Sequence, residues 1–333
     1  MRLRAWREEW TGRARCANSR AMPSDKTQIT PWAEQPFGRR ISDFFRFVSL
    51  LFIPSRRRVS TLYDLISTTN YFTERTLFRN LGYWKDGPQT LDDACEAMAR
   101  LAGETAALGP NDRVLDCGFG FGDQDMYWAE QFKPREIVGL NVTQSQIELA
   151  TKRVAERGLS DRVKLQQGSA TQLEFPAGSF DKVIALESAF HFDTREDFFR
   201  EAFRVLKPGG RLVTLDMIPM PGLKTSIWLR IGLSIGFQLW QMNAKNLYDR
   251  NIYADKLRAA GFENARCDSI NEHVAPHFTR FVIQKFQDPE TAKRFNPAVR
   301  WMFHPTGVQH EKDMPKFSYE LDYVLAVADK PRQ

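Results

Sequence analysis

Between residues 90 and 216, short hydrophobic runs alternate with segments whose apolar positions recur every three or four residues. The runs predict buried β-strands, and the periodic segments predict amphipathic helices. The predicted strands are 113–117, 136–141, 162–166, 182–187 and 211–216. Strands that alternate with helices form a parallel sheet covered on both faces. The fold class is therefore α/β, and the carboxyl ends of the strands are where such a sheet binds ligands.

Polar residues in front of the periodic segments mark where the helices begin. Thr90 precedes one apolar helix face and is a good helix cap. Thr143 and Gln146 have the spacing of a capping box, Ser/Thr-x-x-Glu/Gln, which opens a helix through Arg157. Asp193 is predicted to cap the helix that precedes the last of the five strands.

The pattern changes after Asp216. Residues 217–250 are largely apolar and helical, and residues 276–316 are rich in aromatic side chains and histidine. We expect both segments to be insertions that cover a substrate. Segments 264–274 and 317–329 predict two further strands, which gives a mostly parallel, seven-stranded Rossmann-like sheet with an insertion before its last strand.

The charge of the chain is concentrated at its start. The net charge is +6, but residues 1–58 carry thirteen Lys and Arg against five Asp and Glu, so the remainder has a net charge of −2. The predicted organisation is a basic arm at 1–36, disordered or loosely docked, a helical lid at 37–110 and a core at 111–333. A strongly basic protein would suggest a nucleic acid or membrane partner, and here only the arm suggests one.

One apolar segment near the start allows two interpretations. Ile41–Ile53 is too short to span a membrane, which takes about 20 residues, and it is predicted to be an amphipathic helix. It either packs on the domain or takes part, through residues 41–58, in peripheral contact with a membrane surface or an apolar substrate.

Cysteine and histidine spacing argues against a metal site. The four cysteines have no Cys-x-x-Cys spacing, and the histidines after residue 270 lack the spacing of a helical metal-binding pair. With no secretory segment recognised, we expect a cytoplasmic protein.

A glycine-rich loop follows the first strand, in the string VLDCGFGFG at 114–122. A dinucleotide fingerprint, Gly-x-Gly-x-x-Gly/Ala, would need glycine or alanine at position 123. Asp123 stands there, and its charge would repel a pyrophosphate at the start of the helix. S-adenosylmethionine fits better, because its amino-acid portion carries an ammonium group and it has no phosphate.

Four strings together resemble the class I S-adenosylmethionine-dependent methyltransferases in order and spacing. They are VLDCGFGFG (114–122), VGLNVTQSQIELA (138–150), FDKVIALESAFHF (180–192) and FRVLKPGGRLVTLD (203–216). The chain is most similar to the small-molecule branch, which contains antibiotic-sugar O-methyltransferases, ubiquinone-type and sterol C-methyltransferases, and cyclopropane-lipid synthases. The resemblance implies a Rossmann-like fold, S-adenosyl-L-methionine as the cofactor, and a small molecule as the methyl acceptor.

The resemblance also implies which residues bind the cofactor. The glycines lie along its methionine portion, and Asp116 orients the ammonium group. Asn141 and Gln146 face the ribose, and residues 169–170 face the adenine. Gln146 has the capping box as its alternative role, and the aromatic pair at 83–84 either covers the methyl donor or packs in the core. The implied cofactor-binding residues are Tyr83, Trp84, Asp116, Gly118, Gly120, Gly122, Asn141, Gln146, Ser169, Ala170 and Glu187.

His191 and Asp216 are the predicted catalytic residues. His191 follows the fourth strand, and histidine accepts protons near neutral pH. Asp216 ends the fifth strand beside it and would orient it. The alternatives are a packing role for His191 and a strand-end turn for Asp216. Related enzymes often have two adjacent histidines, whereas the first of these positions is Phe190 here.

The predicted reaction is methyl transfer to a small apolar metabolite such as a polyketide, quinone, terpenoid or lipid, with O-methylation favoured by His191. Aromatic residues outside the predicted sheet fit an apolar acceptor. C-methylation of an isoprenoid or its diphosphate is the alternative. RNA methylation, which the basic arm alone suggests, nicotinamide-dependent oxidoreduction and non-catalytic cofactor binding are more remote hypotheses.

Overall fold

The structure is a computed structural model, and it describes residues 34–49, 72–221, 242–295 and 321–332. Its helices are α1 (Phe37–Ser49), α2 (Leu91–Ala106), α3 (Asp123–Gln131), α4 (Gln144–Glu156), α5 (Arg195–Val205), α6 (Arg250–Ala259), α7 (Ala275–Gln287) and α8 (Pro289–Arg294). Its strands are β1 (Arg113–Cys117), β2 (Glu136–Asn141), β3 (Val163–Gln167), β4 (Phe180–Leu186), β5 (Leu206–Pro219), β6 (Glu263–Ser269) and β7 (Leu321–Asp329).

The strands form one seven-stranded sheet in the order β3-β2-β1-β4-β5-β7-β6. Strands β1 to β5 are parallel, and β7 runs antiparallel to both β5 and β6. The order reverses between β1 and β4, and a ligand crevice forms at the carboxyl ends of the strands at such a reversal. The predicted α/β, mostly parallel seven-stranded sheet is confirmed.

Two of the strands, β5 and β6, depart furthest from their predicted bounds. Strand β5 continues to Pro219, because β7 pairs with it over the whole stretch from Arg211–Asp329 to Pro219–Leu321. Strand β6 ends at Ser269, and a 3₁₀ turn follows at Asn271–His273. The pairing partner of a strand decides where it ends, and the local hydrophobic pattern does not contain that information.

The helix starts agree with the prediction at Thr90 and disagree at two other places. The Thr90 side chain accepts a hydrogen bond from the backbone of Asp93. Thr194, and not Asp193, caps α5, because its hydroxyl accepts from the backbone of Asp197. The predicted capping box at Thr143 is wrong, since the Thr143 side chain makes no capping hydrogen bond.

Hydrophobic cores lie on both faces of the sheet. One core contains apolar residues of α2 and α3, and the other contains those of α5 and α6. The two faces are therefore sealed by helices, and the edge at the carboxyl ends of the strands is left for a ligand.

Some predicted segments lie outside the described residues. They are residues 1–33 of the basic arm, 50–58 of the possible contact segment, and 222–241 and 296–316 of the two predicted insertions. Within the four ranges that the structure describes, none of the helices combines the length and the hydrophobicity needed to cross a bilayer.

Candidate active site

A cavity of about 400 Å³ lies at the carboxyl ends of β1, β2 and β4. The glycine loop and the ends of these strands form its floor, and residues 77–80 close it from the N-terminal side. Its volume is within the range of small-molecule sites, which is about 300–1,000 Å³.

Two of the predicted glycines line the cavity, and the third begins the next helix. Gly118 and Gly120 face the cavity. Gly118 has a φ of +104°, and a Cβ atom there would lie 2.4 Å from Cβ of Ser188, so no other residue fits. Gly122 does not line the cavity, and it caps α3 in the left-handed conformation.

Asn141 and Gln146 meet at the cavity wall beyond β2. The Asn141 amide donates to Oε1 of Gln146 at 2.9 Å and to the carbonyl of Gly120 at 3.2 Å. Gln146 Nε2 and Thr143 Oγ1 are buried and have no hydrogen-bond partner within the described parts of the chain, and both residues line the cavity. Because the capping box is not formed, these polar atoms are available for the hydroxyl groups of a ribose, which both donate and accept.

Ser169 and Ala170 line the opposite end of the cavity, after β3. The Ser169 hydroxyl lies 3.0 Å from that of Thr171, which also lines the cavity. This end therefore offers hydroxyl groups and a small apolar residue, which suit the edge and the face of an adenine.

Asp116 lies behind the cavity wall and does not itself line the cavity. Its side chain is fully buried, and its Oδ2 accepts a hydrogen bond from Gln124 Nε2 at 3.0 Å. Gln124 lines the cavity. Burial raises the pKa of the Asp116 carboxyl to about 7, although the hydrogen bond from Gln124 favours the charged form. Direct contact between Asp116 and an ammonium group was expected, whereas the structure places Gln124 between Asp116 and the cavity.

Glu187 lines the cavity at the end of β4, in a left-handed backbone conformation with a φ of +49°. Its Oε1 accepts hydrogen bonds from the backbone of Leu81 at 2.7 Å and from the Tyr323 hydroxyl at 2.6 Å. Burial raises the pKa of Glu187 to about 7. Two donors on one oxygen hold this carboxyl in place, and these hydrogen bonds help to maintain the strained backbone conformation of Glu187.

Tyr83 and Trp84 do not line the cavity, which favours packing, the alternative role predicted for this pair. Trp84 is buried in the core, where its indole NH donates to the carbonyl of Leu81 at 2.9 Å. Tyr83 makes an edge contact with His273. Leu77, Phe78, Arg79 and Asn80 line the cavity instead. The chain turns away from the cavity after Asn80.

His191 and Phe190 face different environments in the 3₁₀ turn after β4. His191 lines the cavity. Phe190 is buried in a cluster with Met242 and Leu321, and its ring lies 4.0 Å from that of His191. Of these two adjacent residues, His191 therefore faces the cavity and Phe190 does not.

The predicted pairing of Asp216 with His191 is corrected by the structure. Asp216 is fully buried and does not line the cavity. Its Oδ2 accepts from Arg195 Nε at 2.6 Å and from the Tyr253 hydroxyl at 3.1 Å, and its Oδ1 accepts from the backbone of Met217. A carboxylate that is paired with a buried guanidinium stabilises the fold, and it is not available to orient a base.

Several cavity residues were not predicted from the sequence. They include Leu77, Phe78, Arg79, Phe119, Phe121, Gln124, Thr143, Thr171, Gln172 and Phe192. The two phenylalanines of the glycine loop could have been found, because they alternate with the glycines. Gln124 gave no signal, since a polar residue in the first turn of a helix is ordinary.

The cavity fits S-adenosylmethionine on three structural grounds. At Gly118 its glycine loop leaves no room for a side chain, and its ribose wall has buried polar atoms without partners among the described residues. Gln124 and Glu187 line the cavity beside the loop, where an ammonium group would lie.

The chain matches a protein-family model, and it is similar to known proteins over most of its length. A methyltransferase domain model matches residues 115–214. Erythromycin 3''-O-methyltransferase of Saccharopolyspora erythraea is 36% identical over 284 residues, which cover 83% of this chain and 90% of that protein. The chain belongs to the S-adenosylmethionine-dependent methyltransferases of small molecules.

Two further proteins support this assignment. The 27-O-demethylrifamycin SV methyltransferase of Amycolatopsis mediterranei is 30% identical to this methyltransferase over 260 residues, covering 75% of this chain and 89% of that protein. The crystal structure of the cyclase SpnF superimposes with a TM-score of 0.65 at 25% identity, covering 84% of this chain and 98% of that one. The methyltransferase thus shares its fold with proteins of nearly the same extent.

Proposed function

We propose that this methyltransferase transfers a methyl group to a hydroxyl oxygen of a small, largely apolar metabolite of the polyketide type. The observation that carries the proposal is the position of His191, whose side chain lines the cavity while its neighbour Phe190 is buried. The relatives named as methyltransferases of erythromycin and of a demethylrifamycin support an acceptor of this class.

S-adenosylmethionine supplies a methyl group that is already activated on a sulfonium, so the protein has to orient the acceptor and remove one proton. Gly118, Gly120 and Glu187 would hold the methionine portion, Asn141 and Gln146 the ribose, and Ser169 and Ala170 the adenine. His191 would accept the proton of the acceptor hydroxyl as the new oxygen–carbon bond forms.

The contribution of His191 is tested by replacement. We expect His191→Ala to lower the rate of methyl transfer by about 10²–10⁴-fold, which is the usual contribution of a general base. The affinity for S-adenosylhomocysteine, measured by calorimetry, should be unchanged. Gln144→Met, on the exposed face of α4 and outside the cavity, is the control and should keep the activity.

The acceptor class is tested with methyl-labelled cofactor and a panel of macrolide glycosides, macrolactone aglycones and isoprenoid diphosphates. Mass spectrometry and NMR of the product then identify the methylated atom. Methylation of a hydroxyl oxygen on a polyketide supports the proposal. A new carbon–carbon bond on an isoprenoid would contradict it and favour the C-methyltransferase alternative.

Peripheral membrane contact and a cytoplasmic location stay predictions. Phe37, Ile41 and Phe45 recur at four-residue spacing on α1 and are 69%, 41% and 64% exposed. Such a stripe beside Arg39 and Arg40 is typical of a helix that binds an anionic surface. Co-sedimentation with phosphatidylglycerol vesicles tests the contact, and Phe45→Glu should abolish it.

A further inference from the structure

A pair of acidic side chains lies buried beneath the glycine loop. Asp116 and Asp125 of α3 are neighbours, and the negative charge of Asp116 acts on the Asp125 carboxyl. Both side chains are fully buried. Asp116 Oδ1 and both oxygens of Asp125 receive no donor from the described residues.

Two buried carboxyl groups in contact are stable only if they share a proton. Asp116 Oδ2 already accepts from Gln124 Nε2, which favours the charged form at Asp116. Asp125 receives no donor from the described residues, whereas Asp116 receives Gln124 Nε2, which favours the proton on Asp125. Burial and the neighbouring Asp116 charge also raise the pKa of Asp125 well above its usual range. The nearby Asp123 is neutralised by Arg153, and its two oxygens accept from that guanidinium at 2.7 and 2.8 Å.

The charge state of Asp116 decides which end of the Gln124 amide faces the cavity. A carboxylate only accepts hydrogen bonds, so the NH₂ group of Gln124 must point toward Asp116. The Oε1 atom of Gln124 is then the atom that the side chain can present to a ligand. Gln124 lines the cavity beside the glycine loop.

We infer that Gln124 receives the ammonium group of the cofactor on its Oε1, and that the protonated Asp125 holds Asp116 as the carboxylate that fixes this orientation. Gln124 is thus a specificity-determining residue for the amino-acid portion of the ligand, and Asp116 and Asp125 are positioning residues. The inference rests on S-adenosylmethionine as the cofactor, and it does not depend on the acceptor.

The test compares two nucleosides by calorimetry at pH 7.5. S-adenosylhomocysteine carries the ammonium group, and 5′-methylthioadenosine has the same adenosine and thioether but no amino-acid portion. We expect Gln124→Met to weaken S-adenosylhomocysteine binding by about 10-fold or more, because a hydrogen bond to a charged group is lost. Binding of 5′-methylthioadenosine should stay within about 2-fold of the wild type. Gln144→Met, on the exposed face of α4, is the matched control and should change neither affinity.

Asp125 is tested with two variants. Asp125→Asn keeps a donor toward Asp116, so S-adenosylhomocysteine should bind as it does to the wild type. Asp125→Leu removes the donor, Asp116 then takes up the proton, and the affinity should fall by about 10-fold with 5′-methylthioadenosine unaffected.

Three outcomes would overturn the inference. The first is that Gln124→Met weakens the binding of both nucleosides equally. The second is that Asp125→Asn weakens S-adenosylhomocysteine binding as much as Asp125→Leu does. The third is that the wild-type protein binds neither nucleoside. A failure to methylate any polyketide, with the nucleoside discrimination intact, would refute only the proposed function.

Discussion

Arg195 donates a hydrogen bond from Nε to Oδ2 of Asp216 at 2.6 Å, and both side chains are completely buried. The same guanidinium donates to the carbonyl oxygens of Met217 and Asn246. The pair therefore ties the start of α5 to the end of β5 and to the turn before α6. Removing one partner of a buried pair leaves an uncompensated charge in the core.

We expect Asp216→Ala to lower the free energy of unfolding by about 3–5 kcal/mol. Urea denaturation followed by circular dichroism measures the change. The control is Asp255→Ala, which removes the exposed ion pair with Arg258 and should alter the free energy by less than about 0.5 kcal/mol. A loss of activity in Asp216→Ala with unchanged stability would show that Asp216 has a catalytic role after all.

A second buried pair supports the glycine loop. Arg153 of α4 donates to both oxygens of Asp123 and to the carbonyl of Phe121 at 2.7 Å. We expect Arg153→Met to lower the free energy of unfolding by about 3–5 kcal/mol, since Asp123 would be left unpaired. It should also weaken S-adenosylhomocysteine binding, because Phe121 and Asp123 line the cavity.

The neighbouring Lys152 provides the control for this pair. Lys152 is exposed and lies 3.6 Å from Glu156, so Lys152→Met should leave both stability and binding nearly unchanged. Equal effects of the two substitutions would mean that the buried pair does not support the loop.

Gly118 is expected to tolerate no side chain. Its φ of +104° is unfavourable for other residues, and an added Cβ would lie 2.4 Å from Cβ of Ser188. Gly118→Ala should weaken S-adenosylhomocysteine binding by more than about 10-fold. In the double variant Gly118→Ala/Ser188→Gly the clash is absent but the backbone strain remains, so only part of the affinity should return. Full wild-type affinity in Gly118→Ala alone would contradict this account of the loop.

Cofactor affinity should depend on pH through Asp116. Burial raises the pKa of this carboxyl to about 7. The inferred orientation of Gln124 requires the carboxylate in the bound state. As the pH falls below 7, binding must displace a proton, so the affinity for S-adenosylhomocysteine should fall toward about 10-fold per pH unit. Above pH 8 the affinity should be constant.

Calorimetry at pH 6 in buffers of different ionisation enthalpy measures this proton release directly. Binding of 5′-methylthioadenosine, which lacks the ammonium group, should release no proton from Asp116. Glu187 also faces the cavity with a pKa of about 7, so Glu187→Gln is needed to separate its contribution. A pH-independent affinity in that variant would contradict the role given to Asp116.

Much of the fold and the cofactor site could be predicted because the signals are local. The bounds of β1 and β2 agree with the prediction to the residue, since buried parallel strands are short apolar runs between polar turns. The glycine spacing at 118 and 120 and the polar residue at 141 also lie within one strand–loop–helix unit, and they line the cavity as expected.

The departures come from residues whose partners are distant in the chain. Asp216 follows a strand end in sequence, but its surroundings are set by Arg195 and Tyr253, which lie 21 and 37 positions away. Trp84 lies near the cofactor segment in sequence, yet it packs with His277 and away from the cavity.

The sequence by itself determined the α/β sheet, the glycine loop and the class of cofactor, because hydrophobic periodicity and turn chemistry act over a few residues. Only the tertiary structure decided that His191 rather than Phe190 faces the cavity, that Asp216 is in a buried ion pair, and that Gln124 stands between Asp116 and the cavity. These outcomes depend on burial and on contacts between separate elements, and such contacts exist only once the sheet is assembled.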